Sequence, residues 1–321
     1  MIKIEHKLDY TLDFNYDFNL EDVVFFDIET TGLSRIYNYI YLIGLVKFNE
    51  TTGFQLIQYF SSDISEEKEL LEKFINEVKD KKLITYNGES FDIPFVNTRA
   101  EKYSIKPLSN NSFDLMKYVK KNNDFLGLSN FKLKTLECFL GIFREDVHTG
   151  KDCIDFYKTY QNLPNDLLLE KILKHNFDDI YYMPKLLEIL PKVNLNRSIN
   201  LNGLALLIDN ITINNDMLSI LGSVNKNPFP DQKIYMKNYW FDITEETFSF
   251  NLETKKAQIN ETLFCDYINQ NDLLIESPLI DETIHDIPNY LLLLTINKKP
   301  IISNIKNLVK ALIEKNIQKN S

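Results

Sequence analysis

Asp27 and Glu29 lie two positions apart in a largely apolar stretch, Val-Phe-Phe-Asp-Ile-Glu-Thr-Thr-Gly-Leu, which spans residues 24–33. Because side chains alternate between the two faces of a β-strand, both carboxylates point from the same face, whereas Ile28 points into the core. Hard divalent cations prefer oxygen ligands of this kind. The pair predicts a metal site, although acidic residues also end strands in proteins that bind no metal.

Asp92 is a second acidic residue in a suitable setting, because it follows a short apolar strand and an Asn87-Gly88 turn. The pattern places it in the first turn of a helix, where a carboxylate stabilises the helix dipole and Ser90 can act as the cap. Taken alone, Asp92 is better explained as a structural residue. A metal-site interpretation requires the Asp27 and Glu29 pair to lie nearby.

The third group of polar residues is His175-Asn176-Phe177-Asp178-Asp179. On a helix, His175 and Asp179 share one face at positions i and i+4. An imidazole titrates near neutral pH, so it suits a group that orients or deprotonates water. The structural alternative is a helix cap at Asn176, and both Asp178 and Asp179 are candidates for a metal ligand.

Together, the three groups resemble the DEDD, or DnaQ-like, superfamily of 3′–5′ exonucleases. Its members carry a D-x-E pair, an aspartate after an Asn-Gly turn, and a late helical aspartate. The stretches FFDIETTGL, YLIGLVKF, LITYNGESFDIPF and HNFDDI, with the intervening FDLMKY and LKTLECFLGIFRED, look like its bacterial YprB-like branch. The resemblance covers roughly residues 22–190.

The resemblance implies a ribonuclease H-like α/β fold, with a mixed five-stranded sheet flanked by helices. It implies that two Mg²⁺ or Mn²⁺ ions are bound by Asp27, Glu29, Asp92 and Asp179. Asp179 fits the tyrosine-type pattern Y-x-x-x-D, with His175 in place of the tyrosine, whereas the histidine-type pattern H-x-x-x-x-D would put Ile180 at the ligand position. His175 therefore has the residue type of the histidine subclass but the spacing to the aspartate of the tyrosine subclass. It is a candidate catalytic base.

The resemblance also implies the substrate and its contacts. The expected activity is metal-dependent hydrolysis of phosphodiester bonds from the 3′ end of single-stranded DNA or RNA, by a two-metal-ion mechanism. The partner is then a nucleic acid with a free 3′ end. The candidate nucleotide contacts follow the first and second acidic groups: Thr30, Thr31, Gly32, Leu33, Asn87 and Phe91.

Two alternatives keep the same fold. One is a nucleic-acid-binding module with weak or no catalysis, since a fold does not guarantee activity. The other is a ribonuclease H-like endonuclease, against which the D-x-E-T-T-G opening argues. No residue pattern distinguishes DNA from RNA, because the scissile group is the same in both.

The composition of the chain limits how it could bind nucleic acid and where in the cell it is expected. The 321 residues carry a formal net charge of −10, so contact with nucleic acid must be local or metal-mediated rather than due to a basic surface. The three cysteines are widely spaced, without the pairing of a zinc site or a disulfide framework. A cytoplasmic location and no membrane insertion are expected; protein partners are not indicated.

The order of apolar segments predicts two domains after a leader at residues 1–20. Three β-like runs, at 23–28, 40–48 and 54–60, predict a meander, and helical periodicity follows at 66–78, 91–103, 133–140 and 167–190. These elements predict a sheet covered by helices, and the resemblance implies that residues 21–193 form a ribonuclease H-like exonuclease domain. Residues 194–321 predict a smaller α+β module of unknown role, with a hairpin of 248–252 and 257–259 and a closing helix at 301–317.

Overall fold

A computed structural model describes residues 1–9, 19–144, 148–275, 279 and 287–317 of the chain. The chain divides into two compact units: Met1–Lys121 with Leu128–Ile189, and Asn122–Gly127 with Leu190–Ser321. The short segment Asn122–Gly127 belongs to the second unit because Phe125 packs against that unit's core. In the described part of the chain, no helix is long and apolar enough to cross a membrane.

The first unit is built on a mixed sheet of six strands, with the spatial order β1-β4-β3-β2-β5-β6. The pairs β1–β4, β4–β3 and β3–β2 are antiparallel. The pairs β2–β5 and β5–β6 are parallel. The strands are β1 (Ile2–Leu8), β2 (Val23–Thr30), β3 (Ile40–Asn49), β4 (Gly53–Phe60), β5 (Lys82–Thr85) and β6 (Ser112–Asp114). The predicted α/β fold and the meander of β2, β3 and β4 are confirmed.

The sheet has one strand more than the five that were expected, because residues of the leader form β1 on the outer edge of β4. Six of the seven β1 residues retain solvent exposure, and Lys and Glu alternate with apolar residues along it. Charged side chains are typical of an edge strand, since they discourage pairing with another chain. Because of these charges, the composition of the segment is typical of a polar leader rather than of a buried strand.

Helices cover the sheet of the first unit and connect its strands. In chain order they are α1 (Glu67–Glu77), α2 (Asp92–Lys102), α3 (Leu115–Lys121), α4 (Asn123–Leu126, in the second unit), α5 (Leu133–Phe139), α6 (Gly150–Asn162) and α7 (Asp166–Tyr181). The helix expected at 167–190 ends early, at Tyr181, and a 3₁₀ turn over Met183–Glu188 follows with Pro184 near its start. A proline ring removes one helical donor and clashes with the preceding turn.

The two faces of the sheet pack against different helices. Alternate β2 residues Val24, Phe26 and Ile28 form one core cluster with apolar side chains of α1 and α2. Tyr41 and Phe60 form another cluster with α6 and α7 on the other side. Because β2 side chains alternate, Asp27 and Glu29 point toward the α7 side of the sheet.

The second unit is α+β, as predicted, and consists of strands β7 to β16 with helices α8 (Ile189–Arg197) and α9 (Ile302–Ile317). One antiparallel sheet has the order β10-β11-β12-β9-β8-β7, and the other has the order β13-β14-β15-β16. Their strands are β7 (Ser198–Leu201), β8 (Leu204–Asn214), β9 (Met217–Lys226), β10 (Gln232–Tyr235), β11 (Tyr239–Ile243), β12 (Thr247–Glu253), β13 (Lys255–Gln258), β14 (Phe264–Asn269), β15 (Leu291–Ile296) and β16 (Lys299–Pro300).

The prediction of a hairpin between residues 248–252 and 257–259 is wrong. Strand β12 pairs with β11 and β9, whereas β13 pairs with β14 in the other sheet. The inward residues of β12, Phe248, Phe250 and Leu252, are buried in a core that both neighbouring strands help to build. Sequence proximity suggested the hairpin, but burial of these side chains requires a central strand with partners on both sides.

Candidate metal centre

Four carboxylates from three elements converge on the α7 side of the sheet. Asp27 and Glu29 project from β2, Asp92 is the first residue of α2, and Asp179 lies near the end of α7. The α2 aspartate is tied directly to the strand, because its Oδ1 accepts a hydrogen bond from the Ile28 backbone N–H at 3.1 Å. The structure therefore brings together the four residues that the sequence suggested as ligands.

The electrostatics of these carboxylates shows that they are close neighbours. Burial raises the pKa of Asp27 well above its usual range, and the charges of Asp92, Asp179 and Glu29 raise it further. Burial likewise raises the pKa of Glu29, again with contributions from Asp179 and Asp92. The pKa of Asp92 rises to about 7, mainly through burial, against the opposing effect of the Ile28 N–H. A cluster of this kind is stabilised by a cation.

His175 lies one helical turn from Asp179, between the carboxylates. Its Nε2 is 3.7 Å from Glu29 Oε1 and 3.8 Å from Asp179 Oδ2. The ligand atoms of these three residues all lie within 4.8 Å of one another. Asp178, the competing candidate, turns away and forms an ion pair with Lys174 at 2.8 Å. The geometry thus places Asp179, rather than Asp178, in the cluster.

Three of the four carboxylates accept a hydrogen bond from the protein at one of their oxygens. Asn176 Nδ2 donates to Asp27 Oδ2 at 3.1 Å, and Arg144 Nη2 donates to Asp179 Oδ1 at 2.5 Å. The Ile28 N–H contact to Asp92 is the third. The buried Tyr41 hydroxyl lies near Glu29 and opposes the rise in the pKa of Glu29, but its geometry falls short of a hydrogen bond.

Asn176 is fully buried and is itself held in place by polar contacts. Gln58 Nε2 donates to Asn176 Oδ1 at 2.9 Å, which fixes the amide so that its Nδ2 faces Asp27. The space for this side chain is provided by Gly44 on β3, where an added Cβ would lie only 2.1 Å from Asn176 Oδ1. A chain of two buried amides therefore runs from β4 to a carboxylate of the centre.

Sequence reasoning missed Asn176, Gln58 and Arg144 as contributors to the site. The sequence pattern indicates only a helix cap at Asn176, and its position between His175 and Asp179 is the one signal of a role in the site. Gln58 and Arg144 gave no signal, because their contacts join residues 118 and 35 positions apart in the chain, respectively. Contacts at such separations depend on the fold rather than on local spacing.

The predicted nucleotide contacts after Glu29 lie at the end of β2 and in the turn that follows it. Thr30 is buried and its hydroxyl donates to the Gly32 carbonyl, whereas the Thr31 hydroxyl accepts from the Tyr39 N–H at 3.1 Å. An added Cβ at Gly32 would lie 2.7 Å from Asn38 Oδ1, so a close approach requires glycine there. Leu33 is 85% exposed next to this turn.

The exposed apolar surface of this turn extends beyond the residues that were predicted. Ile36 and Tyr37 are 67% and 86% exposed. The Ile36 carbonyl accepts a hydrogen bond from Arg99, whose guanidinium is buried with Glu67. We define Leu33, Ile36 and Tyr37 as the apolar rim.

Asn87 and Phe91, the other two predicted contacts, have structural roles. Asn87 has a left-handed backbone at φ 69°, and its N–H donates to Asp114 at 2.9 Å, so it shapes the turn before α2. Phe91 is partly buried, packs on the core under β2 and lies against the Phe95 ring. Their role as nucleotide contacts stays a prediction.

The donor set fits a hard divalent cation. Carboxylate oxygens dominate, and among the described residues three of the four carboxyl groups accept a side-chain or backbone hydrogen bond at one oxygen, with no such bond at the other. The raised pKa values of Asp27, Glu29 and Asp92 reflect buried like charges that a cation would neutralise. The nearby Cys153 thiol does not fit a nucleophile, because burial raises its pKa.

The comparison with known families agrees with this architecture. Residues 24–190 match the RNase_H_2 family of the RNase_H superfamily. This chain belongs to that superfamily. The matched range contains all four carboxylates and His175, and the chain therefore has a ribonuclease H-like nuclease fold.

Individual relatives match parts of the same region. A DNA polymerase III PolC-type from Mycoplasma genitalium is 32% identical over 138 residues, which cover 36% of this chain and 9% of the polymerase. A DNA polymerase from Pyrococcus glycovorans is 33% identical over 73 residues, which cover 20% of this chain and 9% of that protein. The chain thus spans less than a tenth of the length of these relatives.

Among solved structures, Brucella melitensis NrnC bound to pGG superposes with a TM-score of 0.36 and 14% identity. The superposition covers 55% of this chain and 78% of NrnC.

Proposed function

We propose that the first unit is a metal-dependent 3′–5′ exonuclease that removes nucleotides from single-stranded DNA or RNA. The observation that carries this proposal is the convergence of Asp27, Glu29, Asp92 and Asp179, with raised pKa values for the first three. Membership in the RNase_H superfamily and the likeness to a PolC-type polymerase support it.

The four carboxylates would hold two Mg²⁺ or Mn²⁺ ions through the oxygens that the protein leaves available. When bound, the ions neutralise charge on the phosphate, acidify a water molecule and stabilise the leaving oxygen. The protein supplies the rest: β2 and α2 fix Asp27, Glu29 and Asp92, and Asn176 orients Asp27 through its amide.

His175 is proposed to orient or deprotonate the attacking water. Its Nε2 lies between Glu29 and Asp179, so a water held by these carboxylates would be within reach of the ring. His175→Ala is expected to lower kcat by orders of magnitude with metal binding preserved. His175→Tyr, which restores the tyrosine-type pattern, is expected to retain part of the activity. Near-normal turnover of the alanine variant would make the histidine structural.

The apolar rim beside the turn is proposed to stack on the terminal nucleotide. Stacking of a base on an aromatic side chain tolerates any sequence and is worth about 1–3 kcal/mol per base. Tyr37 is the aromatic residue of the rim and is 86% exposed, so Tyr37→Ala is expected to raise KM for a strand roughly tenfold and to change kcat less. A loss in kcat with unchanged KM would place Tyr37 outside the binding surface.

The central test is digestion of DNA and RNA strands labelled at the 5′ or the 3′ end, with Mg²⁺ or Mn²⁺. Mononucleotides are expected from the 3′ end, and Asp27→Asn and Asp179→Asn should abolish them. Asp178→Asn is a matched control, because this neighbouring acid pairs with Lys174. It should retain activity.

The alternatives correspond to other outcomes of the same test. Cleavage of circular single strands would identify an endonuclease. Binding of strands by the wild type without cleavage of any substrate would identify a binding module and overturn the proposal.

A further inference from the structure

Arg144 lies at the edge of the carboxylate cluster and is shared by two acidic residues. Its Nη2 donates to Asp179 Oδ1 at 2.5 Å, and its Nε donates to Glu137 Oε2 at 2.9 Å. The side chains of Arg144 and Glu137 are only 8% and 1% exposed. A guanidinium between two carboxylates compensates both buried charges and is compensated by them.

The two oxygens of Asp179 have different surroundings. Oδ1 faces Arg144, whereas Oδ2 lies 3.8 Å from His175 Nε2 on the side of Glu29. The guanidinium therefore fixes the rotation of the carboxylate and leaves Oδ2 for a cation. A positive charge this close to a ligand also opposes the binding of any cation there.

Resting on the metal-dependent function proposed above, we propose that Arg144 is the internal counter-ion of the centre, and that it sets both the orientation of Asp179 and the affinity for the ion. It is a positioning residue, since it acts through Asp179. Glu137 moderates its effect, because this carboxylate shares the charge of the guanidinium.

The two partners have opposite effects on metal affinity. Arg144→Met removes a positive charge next to the ligand and so strengthens ion binding, while Asp179 loses its fixed orientation and turnover falls. Glu137→Gln removes a negative charge that offsets the guanidinium, so the net positive charge beside Asp179 rises and ion binding weakens. A merely structural pair would behave differently: both variants would loosen the site and weaken ion binding.

The test is a titration of the full chain with Mn²⁺ in the absence of nucleic acid, with free Mn²⁺ followed by electron paramagnetic resonance. Arg144→Met should bind at least about tenfold more tightly than wild type, from Coulomb interactions at an effective dielectric near 20. Glu137→Gln should bind several-fold more weakly. Arg144→Lys keeps the charge and should stay close to wild type.

A matched control is Lys174→Met, which removes an exposed positive charge from α7, five residues before Asp179. Its ion pair is with Asp178, so the Mn²⁺ affinity should change less than about twofold because solvent screens exposed charges. Turnover at saturating Mn²⁺ gives the second readout: Arg144→Met should lower kcat despite the tighter ion.

Weaker binding by both Arg144→Met and Glu137→Gln would overturn the inference. If Arg144→Met does not fold, Arg144→Gln provides the same loss of charge with a polar side chain, and the same shift is expected. Failure of the wild type to bind Mn²⁺ would instead contradict the proposed metal site itself. The two failures are therefore distinguishable.

Discussion

Neutralising Asp92 should make the metal-free protein more stable, even though it removes a proposed ligand. The pKa of this buried carboxyl rises from 3.8 to about 7. Each pKa unit corresponds to about 1.4 kcal/mol, so keeping Asp92 ionised in the folded chain above pH 7 costs about 4 kcal/mol. Asp92→Asn removes this cost, and its amide oxygen can still accept the hydrogen bond from the Ile28 N–H.

The sign of the pH dependence follows from the raised pKa. The folded chain holds this proton more tightly than the unfolded chain, so its contribution is present at low pH and is lost as the pH rises from about 4 to about 7. At pH 5 the folded carboxyl is protonated and the unfolded one is ionised, which reduces the advantage of Asp92→Asn to about 2 kcal/mol. The advantage should therefore grow by about 2 kcal/mol between pH 5 and pH 8.

The assay is urea unfolding with a chelator at both pH values. The single tryptophan, Trp240, lies in the second unit, so its fluorescence reports mainly on that unit. Circular dichroism, with hydrogen exchange of the β2 amides, reports on the first unit. Asp155→Asn is the control, because Asp155 is 64% exposed, and it should change stability by less than about 0.5 kcal/mol.

The same unfolding experiment is repeated with a divalent metal in place of the chelator. Mg²⁺ or Mn²⁺ should raise the stability of the wild type, since ligands that bind only the folded state stabilise it by mass action. The gain should be much smaller for Asp92→Asn. A variant that is less stable than wild type with chelator, or an advantage equal at pH 5 and pH 8, would refute the reasoning.

Three further substitutions test the framework around the centre. Gly44→Ala would put a Cβ 2.1 Å from Asn176 Oδ1, so it should destabilise the first unit by about 1–3 kcal/mol in urea unfolding. Unchanged stability would mean that α7 can shift away from β3 without cost. Asn176→Ala removes the donor to Asp27 and should weaken Mn²⁺ binding in the same titration, whereas an unchanged affinity would show that the amide has no part in orienting that ligand. Glu67→Gln leaves the buried Arg99 charge without its ionised partner and should cost about 3–5 kcal/mol, measured by unfolding; a cost below about 1 kcal/mol would mean that water enters this core.

The sequence was sufficient to predict the central strands of the first unit, where the apolar pattern and the carboxylates lie in the same segment. Along β2, the side chains of Val24, Phe26 and Ile28 pack on α1 and α2, and because strand side chains alternate between faces, Asp27 lies on the other face. The edge strand β1 was not predictable in the same way. Its charged residues meet solvent, and its partner β4 lies some fifty residues away, so pairing rather than composition makes it a strand.

The same distinction holds for the site. Its ligands lie in short local patterns, whereas the donors that orient them come from elsewhere in the fold. Gln58 on β4 reaches Asn176 on α7, and Arg144 precedes Asp179 by thirty-five residues in the chain. Local spacing carries no record of such contacts, because each depends on the whole arrangement of helices on the sheet.

The donors around the four carboxylates are not equivalent, and this makes the ligands unequal. Asp27 and Asp92 accept from neutral N–H groups, whereas Asp179 accepts from a guanidinium. A neutral donor orients a carboxylate and leaves its charge available to the ion, but a cation offsets that charge. Asp179 should therefore be the weakest of these three ligands for a cation. In the proposed metal site, the Asp179 carboxylate would then release a cation more readily than Asp27 or Asp92 would.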